Sequence, residues 1–360
     1  MGGEVYYDCL GENNYKVTIE LYRDCNSSGA QYDSPLRLAI YRADGTLYSN
    51  ESVSYPGSTV LPIVFDNPCV SAPSGICTQR AIYTKTINLP PIVGGYTLSY
   101  QRCCRGPAVV NIVNPDDAGL TLTTHIPGSE TGITCNSSPR FTNYPPLALC
   151  SNLLLEFDHH ATDPDGDQIV YELCTPFHGG GNDASAGGPN SPAPSPATAP
   201  PYNLVVWEAG FDENEPMGAG SGSNINAATG LLQTSPQFLG KYAVGICAKE
   251  YRNGVLIGET RRDFLFVVIN CDISLAAGVT AQEELNTFTS YCQGLTIDFE
   301  NESFGGTNYA WDFGVGGTNE DVSSSFEPTY TFPDGGVYEV TLVVNPGWPC
   351  TDTAKQIFNI

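Results

Sequence analysis

The chain has 360 residues, 13 cysteines and a formal net charge of −24, from 15 Lys and Arg against 39 Asp and Glu. The few Lys and Arg residues do not cluster into a basic stripe along the sequence, so nucleic-acid binding is not expected. No apolar stretch approaches the roughly 20 residues of a membrane-spanning helix. A chain of this length is expected to form two or three domains.

Residues 1–145 are predicted to form a cysteine-rich antiparallel β-sandwich. Helical periodicity is almost absent, and residues 15–21 (YKVTIEL) alternate between apolar and polar side chains. This alternation is typical of a strand with one buried face. Residues 81–89 and 96–102 are further predicted strands, separated by proline and glycine turns.

Residues 146–272 are predicted to form a second β-sandwich. Two strand-like runs flank an acidic turn at residues 163–167 (DPDGD). Asn253-Gly254 joins two long strand-like runs and is a strong hairpin signal. Residues 178–202 are rich in Gly, Ala, Pro and Ser and cannot bury a core, so they are predicted to be a mobile or wrapped loop.

Residues 273–360 are predicted to form a third module. Residues 338–344 (YEVTLVV) alternate as an amphipathic strand does. The predicted fold class is therefore all-β, with tandem antiparallel β-sandwich (Ig-like) modules held by disulfides.

The cysteines favour disulfides in an oxidising compartment, because they form no CxxC pair and no Cys/His cluster at zinc spacing. Thirteen is an odd number, so at least one thiol is expected to be free or to pair outside this sequence. Four bonds are predicted. Cys69–Cys77 would close a Pro/Gly loop, and Cys135–Cys150 would staple the exit to the second module. Cys174–Cys247 would join two mid-strand cysteines of the second module, and Cys292–Cys350 would link the two ends of the third.

Two strands of the first module end alike, with Arg before Cys, in residues 21–25 (LYRDC) and 100–105 (YQRCCR). This pattern indicates two adjacent strands that are held by disulfides. Adjacent side chains of a strand point to opposite faces, so Cys103 and Cys104 are expected to have two different partners. A redox switch formed by a bond between them is the alternative.

The acidic turn is the strongest candidate for a metal site. Asp163, Asp165 and Asp167 offer hard oxygen ligands of the kind that Ca²⁺ prefers. The EF-hand pattern fails, because Gln168 and Cys174 occupy its sixth and twelfth positions. A solvated acidic turn without an ion is the alternative.

Because three aspartates do not complete a calcium site, further ligands are expected from Asp158, Glu172 or another domain. His159 and His160 lie beside the turn. They are not expected to share a transition metal, because neighbouring side chains of a strand point to opposite faces.

Catalysis is not expected. The chain has no nucleophile elbow, HExxH or Walker motif. The many acids leave a paired-carboxylate glycosidase open. A surface of exposed aromatics that binds glycans is another alternative, with candidates at Tyr6, Tyr7, Tyr22, Tyr48 and Tyr55. Packing of the same rings within the sheets is the favoured interpretation.

Three segments near the carboxyl end resemble the PKD (polycystic kidney disease) domain, an immunoglobulin-like sandwich. They are residues 309–314 (YAWDFG), 328–332 (PTYTF) and 336–342 (GVYEVTL). Val315 stands where such domains usually have Asp, so the resemblance does not extend to an acidic loop there.

The middle of the chain resembles cadherin-like bacterial immunoglobulin repeats. The opening signature is at residues 161–167 (ATDPDGD) and 170–173 (VYEL), and the closing one at residues 230–242. The resemblance implies that the acidic turn holds Ca²⁺ between modules.

The first 272 residues resemble the amino-terminal region of large surface proteins of gliding bacteria. The recurring phrases are residues 2–11 (GGEVYYDCLG), 21–25 (LYRDC), 100–105 (YQRCCR), 111–115 (NIVNP) and 136–141 (NSSPRF). This resemblance implies type IX secretion, a gliding-motility-associated adhesin, a bacterial cell-surface location and a fragment of a larger protein. Residues 352–354 (DTA) also resemble an O-glycosylation triplet of such proteins, at Thr353.

The expected function is therefore a non-enzymatic, secreted surface adhesin or display protein, with tandem sandwiches as a stalk that Ca²⁺ stiffens. Its expected partner is an extracellular glycan or protein surface, or copies of itself. A self-assembling filament or sheath subunit is the first alternative. The second is the accessory carbohydrate-binding region of a secreted polysaccharide-degrading enzyme.

Overall fold

The computed structural model describes seven ranges of the chain: residues 2–27, 29–62, 69–71, 76–146, 148–185, 188–285 and 294–360. They form β-strands, two short 3₁₀ helices and connecting loops. The chain divides into two compact units. The first contains residues 1–63 and 74–270, and the second contains residues 64–73 and 271–360.

The described residues of the first unit form seventeen strands; β6 belongs to the second unit. In chain order they are β1 (Gly2–Gly11), β2 (Asn14–Asp24), β3 (Leu36–Arg42), β4 (Leu47–Val53), β5 (Thr59–Leu61), β7 (Thr78–Asn88), β8 (Tyr96–Arg102), β9 (Leu120–Ile126), β10 (Arg140–Phe141), β11 (Leu149–Cys150), β12 (Leu155–Asp158), β13 (Ala161–Thr162), β14 (Gln168–Leu173), β15 (Asn224–Ile225), β16 (Leu231–Thr234), β17 (Gly240–Arg252) and β18 (Val255–Ile269). A 3₁₀ helix covers Ser129–Thr131.

One long sheet runs through the first unit, in the order β14-β17-β18-β1-β2-β7-β5, and β11 pairs with β18. A four-stranded sheet, β4-β3-β8-β9, packs on the β1, β2 and β7 part through a core that includes Val5, Ile19, Leu38, Leu98 and Leu122. The other part of the long sheet buries a second core against the smaller sheets β12-β16-β15 and β10-β13. Two sandwiches thus share one sheet.

The predicted boundary near residue 145 does not separate two sheets. Strand β1 pairs with β18, with Gly3 opposite Asp263. A Cβ atom on Gly3 would lie 2.3 Å from the backbone oxygen of Glu20, so glycine allows β1 to fit between its two neighbours. Sequence patterns within each segment could not reveal this pairing, because it joins strands far apart in the chain.

The strongest predicted hairpin is confirmed. Strands β17 and β18 are antiparallel, with Arg252 opposite Val255 across the turn. Asn253 and Gly254 have φ of 53° and 78°, the backbone conformation that Asn-Gly hairpin turns require.

The described residues of the second unit form eight strands. They are β6 (Val70–Ser71), β19 (Asp272–Ile273), β20 (Thr296–Asp298), β21 (Tyr309–Asp312), β22 (Val322–Ser323), β23 (Thr329–Thr331), β24 (Val337–Val344) and β25 (Asp352–Asn359). A 3₁₀ helix covers Gln282–Glu284.

An aromatic core fills the second unit. The sheet β22-β21-β24-β25 and the pairs β20-β23 and β6-β19 surround it. Trp311, Phe299, Phe313, Phe332 and Phe358 are each at most 2% exposed. The predicted amphipathic strand at residues 338–344 is β24, whose alternate side chains enter this core.

Disulfides stabilise each of the two units, and all twelve cysteines of the described residues are bonded. The predicted bond between Cys174 and Cys247 is present. It joins the end of β14 to the middle of β17, across neighbouring strands.

Three other predicted bonds are wrong, because their cysteines have different partners. The observed pairs are Cys25–Cys77, Cys9–Cys135 and Cys69–Cys350. Cys150 is also bonded, and Cys292 lies outside the described residues. The prediction paired cysteines that are close in sequence. Cys69 lies close to Cys77 along the chain, but it belongs to a short segment of the second unit.

The expectation for the adjacent cysteines is also wrong. Cys103 and Cys104 are bonded to each other. They lie just after β8 ends at Arg102, where strand alternation no longer separates the two side chains.

Candidate functional site

The acidic turn lies between β13 and β14 in the first unit. Gly166 has φ of 81°, a conformation that glycine adopts without steric cost. One carboxylate oxygen of Asp163, Oδ1, accepts hydrogen bonds from the backbone N–H groups of Asp165 (2.8 Å) and Asp167 (3.2 Å). The turn therefore folds around the Asp163 side chain.

The other two aspartates tie the turn to the rest of the unit. The Ser137 backbone N–H donates to Asp165 Oδ2 at 2.6 Å. Arg252, at the end of β17, donates from Nε and Nη2 to the two oxygens of Asp167, at 2.8 and 2.5 Å. Ligand oxygens of Asp163, Asp165 and Asp167 lie within 4.8 Å of one another, so the structure brings the three predicted ligands together.

A fourth acid, Glu250 of β17, lies close enough to Asp163 and Asp167 to interact with both carboxylates, although it is outside the group whose oxygens lie within 4.8 Å of one another. Its side chain is fully buried. Oε1 accepts a hydrogen bond from Asn136 Nδ2 at 2.9 Å, whereas Oε2 has no donor. Asp163 Oδ2 is likewise buried without a donor. Sequence reasoning missed Glu250, because only the antiparallel pairing of β14 with β17 places it opposite Ile169.

The charges of the cluster shift its acids in different directions. The pKa of Glu250 is raised to about 8, chiefly by burial, and the nearby carboxylates of Asp163 and Asp167 act in the same direction. Burial also raises the pKa of Asp163. The hydrogen bonds from Arg252 lower the pKa of Asp167.

The structure does not place the other two predicted ligands in this cluster. Asp158 is not among the grouped carboxylates, and its Oδ1 accepts the backbone N–H of His160 at 2.8 Å. Glu172 forms an ion pair with Lys249 at 2.6 Å. That part of the ligand prediction is wrong, because Glu172 pairs across the sheet with Cys247, well beyond the turn.

The two neighbouring histidines lie between β12 and β13 and have different surroundings. His159 is fully buried against the rings of Phe157 and Phe264, whereas His160 is exposed. Burial holds the pKa of His159 well below its ordinary value, with the Arg262 charge adding to the effect. The two side chains do not share a metal site.

The described parts of the predicted loop, residues 178–185 and 188–202, wrap over the four-stranded sheet, which is one of the two predicted alternatives. The Cys103 N–H donates to Pro192 O at 2.8 Å. Gln101 exchanges hydrogen bonds with Thr198, through Nε2 at 2.6 Å and Oε1 at 2.9 Å. Tyr41 donates to the Ala197 carbonyl. The exposed part of this loop includes residues 182–185 (NDAS).

The five candidate tyrosines do not form one glycan-binding surface. Tyr7 and Tyr22 are 0% and 6% exposed. Tyr48 packs edge-to-face on Tyr96, with ring centroids 5.1 Å apart, and Tyr55 stacks on Tyr32 at 5.7 Å. These contacts agree with aromatic packing within the sandwich.

Thr353, the candidate O-glycosylation residue, lies on β25 of the second unit. It is exposed and pairs with Val343 of β24. Its hydroxyl side is therefore open to an enzyme, and modification there stays a prediction.

Residues 277–348 match the model of the PKD domain. This confirms the predicted PKD-like module at the carboxyl end, and it covers a minority of the chain. No curated protein matches the sequence. Among the described residues, no helix has the length and apolar character needed to cross a membrane.

Several solved structures are similar at low identity. A three-domain immunoglobulin fragment of titin is 8% identical, with 99% of this chain and 98% of that chain covered and a TM-score of 0.18. Extracellular domains 3–5 of Drosophila OTK are 9% identical, with 94% and 90% covered and a TM-score of 0.16. A Dscam structure is 10% identical, with 96% and 79% covered and a TM-score of 0.15. The all-β assignment therefore depends on the strands themselves and on the PKD match.

Proposed function

We propose that this chain is a non-enzymatic extracellular adhesin or structural display protein, built from disulfide-held β-sandwiches. The observation that carries the proposal is the bonding of all twelve described cysteines, in an all-β chain with a PKD-like module. Disulfides of this density belong to oxidising, extracellular compartments. Closely packed sheets suit a rigid support for a contact surface.

The finer assignment is a surface protein of gliding bacteria that is exported by the type IX route. Its support is the set of sequence phrases in the first 272 residues that resemble such proteins. The net charge of −24 also suits a soluble, outward-facing molecule that repels its own copies. This charge favours an adhesin over a filament subunit.

The proposed contact surface is the exposed part of the wrapped loop, residues 182–185. Hydrogen bonds from Gln101, Cys103 and Tyr41 hold the neighbouring parts of this loop on the sheet. A polar segment on such a rigid base can meet a glycan or a protein without a large ordering cost.

The test combines light scattering with binding to immobilised extracellular polysaccharides and intact bacterial cells. An adhesin stays monomeric and binds cells, and replacing residues 182–185 with GSGS weakens that binding. The control replaces residues 316–319 (GGTN), an exposed loop of the second unit, and leaves binding unchanged. Polymerisation of the purified chain would instead favour the filament subunit. Retention by one polysaccharide alone would favour the accessory carbohydrate-binding region.

Ca²⁺ is the proposed cofactor of this display protein, bound at the acidic turn and stiffening the first unit. The support is the grouping of three aspartates, whose ligand oxygens lie within 4.8 Å of one another. Thermal unfolding of the full chain with Ca²⁺ and with chelator tests this role. Identical melting curves would contradict it.

A further inference from the structure

We propose that Glu250 is the interior ligand of a divalent-cation site, best suited to Ca²⁺, in which it faces the acidic turn from strand β17. The inference rests on the proposed calcium cofactor and deepens it. It adds a ligand that the sequence does not indicate, and it places the site within the first unit. Adhesion by the loop surface does not depend on it.

The first argument is the state of the buried oxygens. Glu250 is 0% exposed, and its Oε2 has no hydrogen-bond donor. Asp163 Oδ2 is also buried and also has no hydrogen-bond donor. A buried carboxylate oxygen without a donor or cation is costly, because it loses its hydration and gains nothing in exchange. Two such oxygens on neighbouring acids, Glu250 Oε2 and Asp163 Oδ2, indicate that a cation belongs between them.

The second argument is that the neighbouring donors are already engaged. Arg252 donates to both oxygens of Asp167 and to Asn136 Oδ1, the last at 2.8 Å. Asn136 Nδ2 donates to Glu250 Oε1 and to the Tyr7 hydroxyl, at 2.9 and 3.2 Å. The Arg252 guanidinium therefore interacts with three acids, Asp165, Asp167 and Glu250, and among the described residues it forms no hydrogen bond to Glu250 or Asp163.

The third argument is the chemistry of the ligands. All of them are carboxylate oxygens, which suit a hard cation, and softer metals prefer nitrogen and sulfur ligands. Ca²⁺ accepts six to eight oxygens in irregular arrangements, whereas Mg²⁺ requires a near-ideal octahedron. Ligands that come from both a turn and a strand are not arranged as a regular octahedron, which suits the less demanding Ca²⁺.

A cation here would connect three segments that are distant in sequence. Asp163 and Asp165 belong to the turn, and Glu250 belongs to β17. The third segment contains Ser137, which donates to Asp165, and Asn136, which donates to Glu250. Cys135 fixes that segment to β1 through its bond to Cys9. Binding is therefore expected to stabilise the first unit as a whole.

The experiment measures cation binding by the full, oxidised chain after treatment with chelator. Calorimetric titration with Ca²⁺ gives the affinity, and Tb³⁺ luminescence excited through tyrosine reports the site, because Tyr7 lies beside Asn136. The Glu250→Gln substitution is expected to weaken binding by about tenfold or more, because it removes one ligand charge. Its amide can donate to a facing carboxylate, so the fold is expected to persist. The controls Glu172→Gln and Asp158→Asn are expected to bind as the wild type does.

Two results would overturn the inference. One is wild-type affinity in the Glu250→Gln variant. The other is a folded wild-type chain that binds neither Ca²⁺ nor Tb³⁺ at neutral pH. If the Glu250→Gln variant does not fold, the shorter but still charged Glu250→Asp variant decides, with weaker Ca²⁺ binding expected because the carboxylate no longer reaches the site. Loss of binding in Asp163→Asn but not in Glu250→Gln would keep the calcium cofactor and reject Glu250 as its ligand.

Discussion

Arg105 donates two hydrogen bonds to the carboxylate of Asp263, at 2.7 and 2.5 Å, and both side chains are completely buried. Arg105 follows β8 in the cysteine-rich part of the chain, and Asp263 lies in β18. The pair therefore joins the two sandwiches of the first unit. Removing one partner leaves an uncompensated charge in the interior.

We expect Asp263→Ala to destabilise the first unit by about 3–5 kcal/mol, because it leaves a buried guanidinium unpaired. Urea denaturation followed by circular dichroism measures the change. The control is Glu51→Gln, which breaks the partly exposed ion pair with Lys85 and is expected to cost about 1 kcal/mol or less. Equal effects of the two substitutions would contradict a dominant role for burial.

The disulfides are expected to differ in their contribution to stability. The Cys174–Cys247 bond spans 73 residues, so replacing both cysteines with alanine is expected to cost about 4 kcal/mol in the chain-entropy model. The Cys103–Cys104 bond joins adjacent residues and closes almost no loop, so the same replacement there is expected to cost much less. Denaturant midpoints of the two double variants test the order, and a reversed order would count against it.

Acid is expected to weaken the fold partly through His159. Burial holds the pKa of folded His159 well below its ordinary value of 6.5, so below that pH the unfolded chain binds a proton that the folded chain excludes. The His159 contribution to stability is therefore complete above pH 6.5 and falls, by at most about 1.4 kcal/mol per pH unit, as the pH decreases toward the folded pKa.

The His159→Phe variant tests this sign, because it keeps an aromatic ring among Phe157 and Phe264. Between pH 6.5 and 5 it should lose less stability than the wild type in urea titrations. The exposed neighbour supplies the control, His160→Gln, which should follow the wild-type pH dependence. A steeper loss in His159→Phe would contradict the assignment.

The aromatic core of the second unit is expected to depend on Trp311. Its ring is 1% exposed, and its Nε1 donates to Ser325 O at 3.0 Å. Trp311→Ala is expected to cost about 3–5 kcal/mol. Hydrogen exchange should show lost protection in β24 and unchanged protection in β17. Trp348, which is 54% exposed, provides the control, and Trp348→Ala should change protection little.

The sequence predicts the strands and hairpins well, because their signals are local. Alternation marks β2 and β24, and Asn253-Gly254 marks the turn between β17 and β18. The shared sheet is not local, since it depends on β1 pairing with β18. The disulfide of Cys69 with Cys350 spans 281 residues, and no spacing rule indicates it.

The candidate site shows the same division. Three aspartates within one turn are visible in the sequence, and the structure groups them. Asp158 and Glu172 are close to the turn in sequence, and this proximity predicts them as ligands. In the structure, Asp158 accepts the His160 N–H and Glu172 pairs with Lys249. Glu250 can be recognised as a candidate ligand only from the structure, which pairs β14 with β17 and shows that the Glu250 side chain is buried.

The most direct test of an extracellular, disulfide-held scaffold is cysteine mapping by mass spectrometry on chain isolated from its natural source without reductant. We expect bonds at Cys9–Cys135, Cys25–Cys77, Cys69–Cys350, Cys103–Cys104 and Cys174–Cys247. Free thiols at these positions in the natively isolated protein would contradict the account.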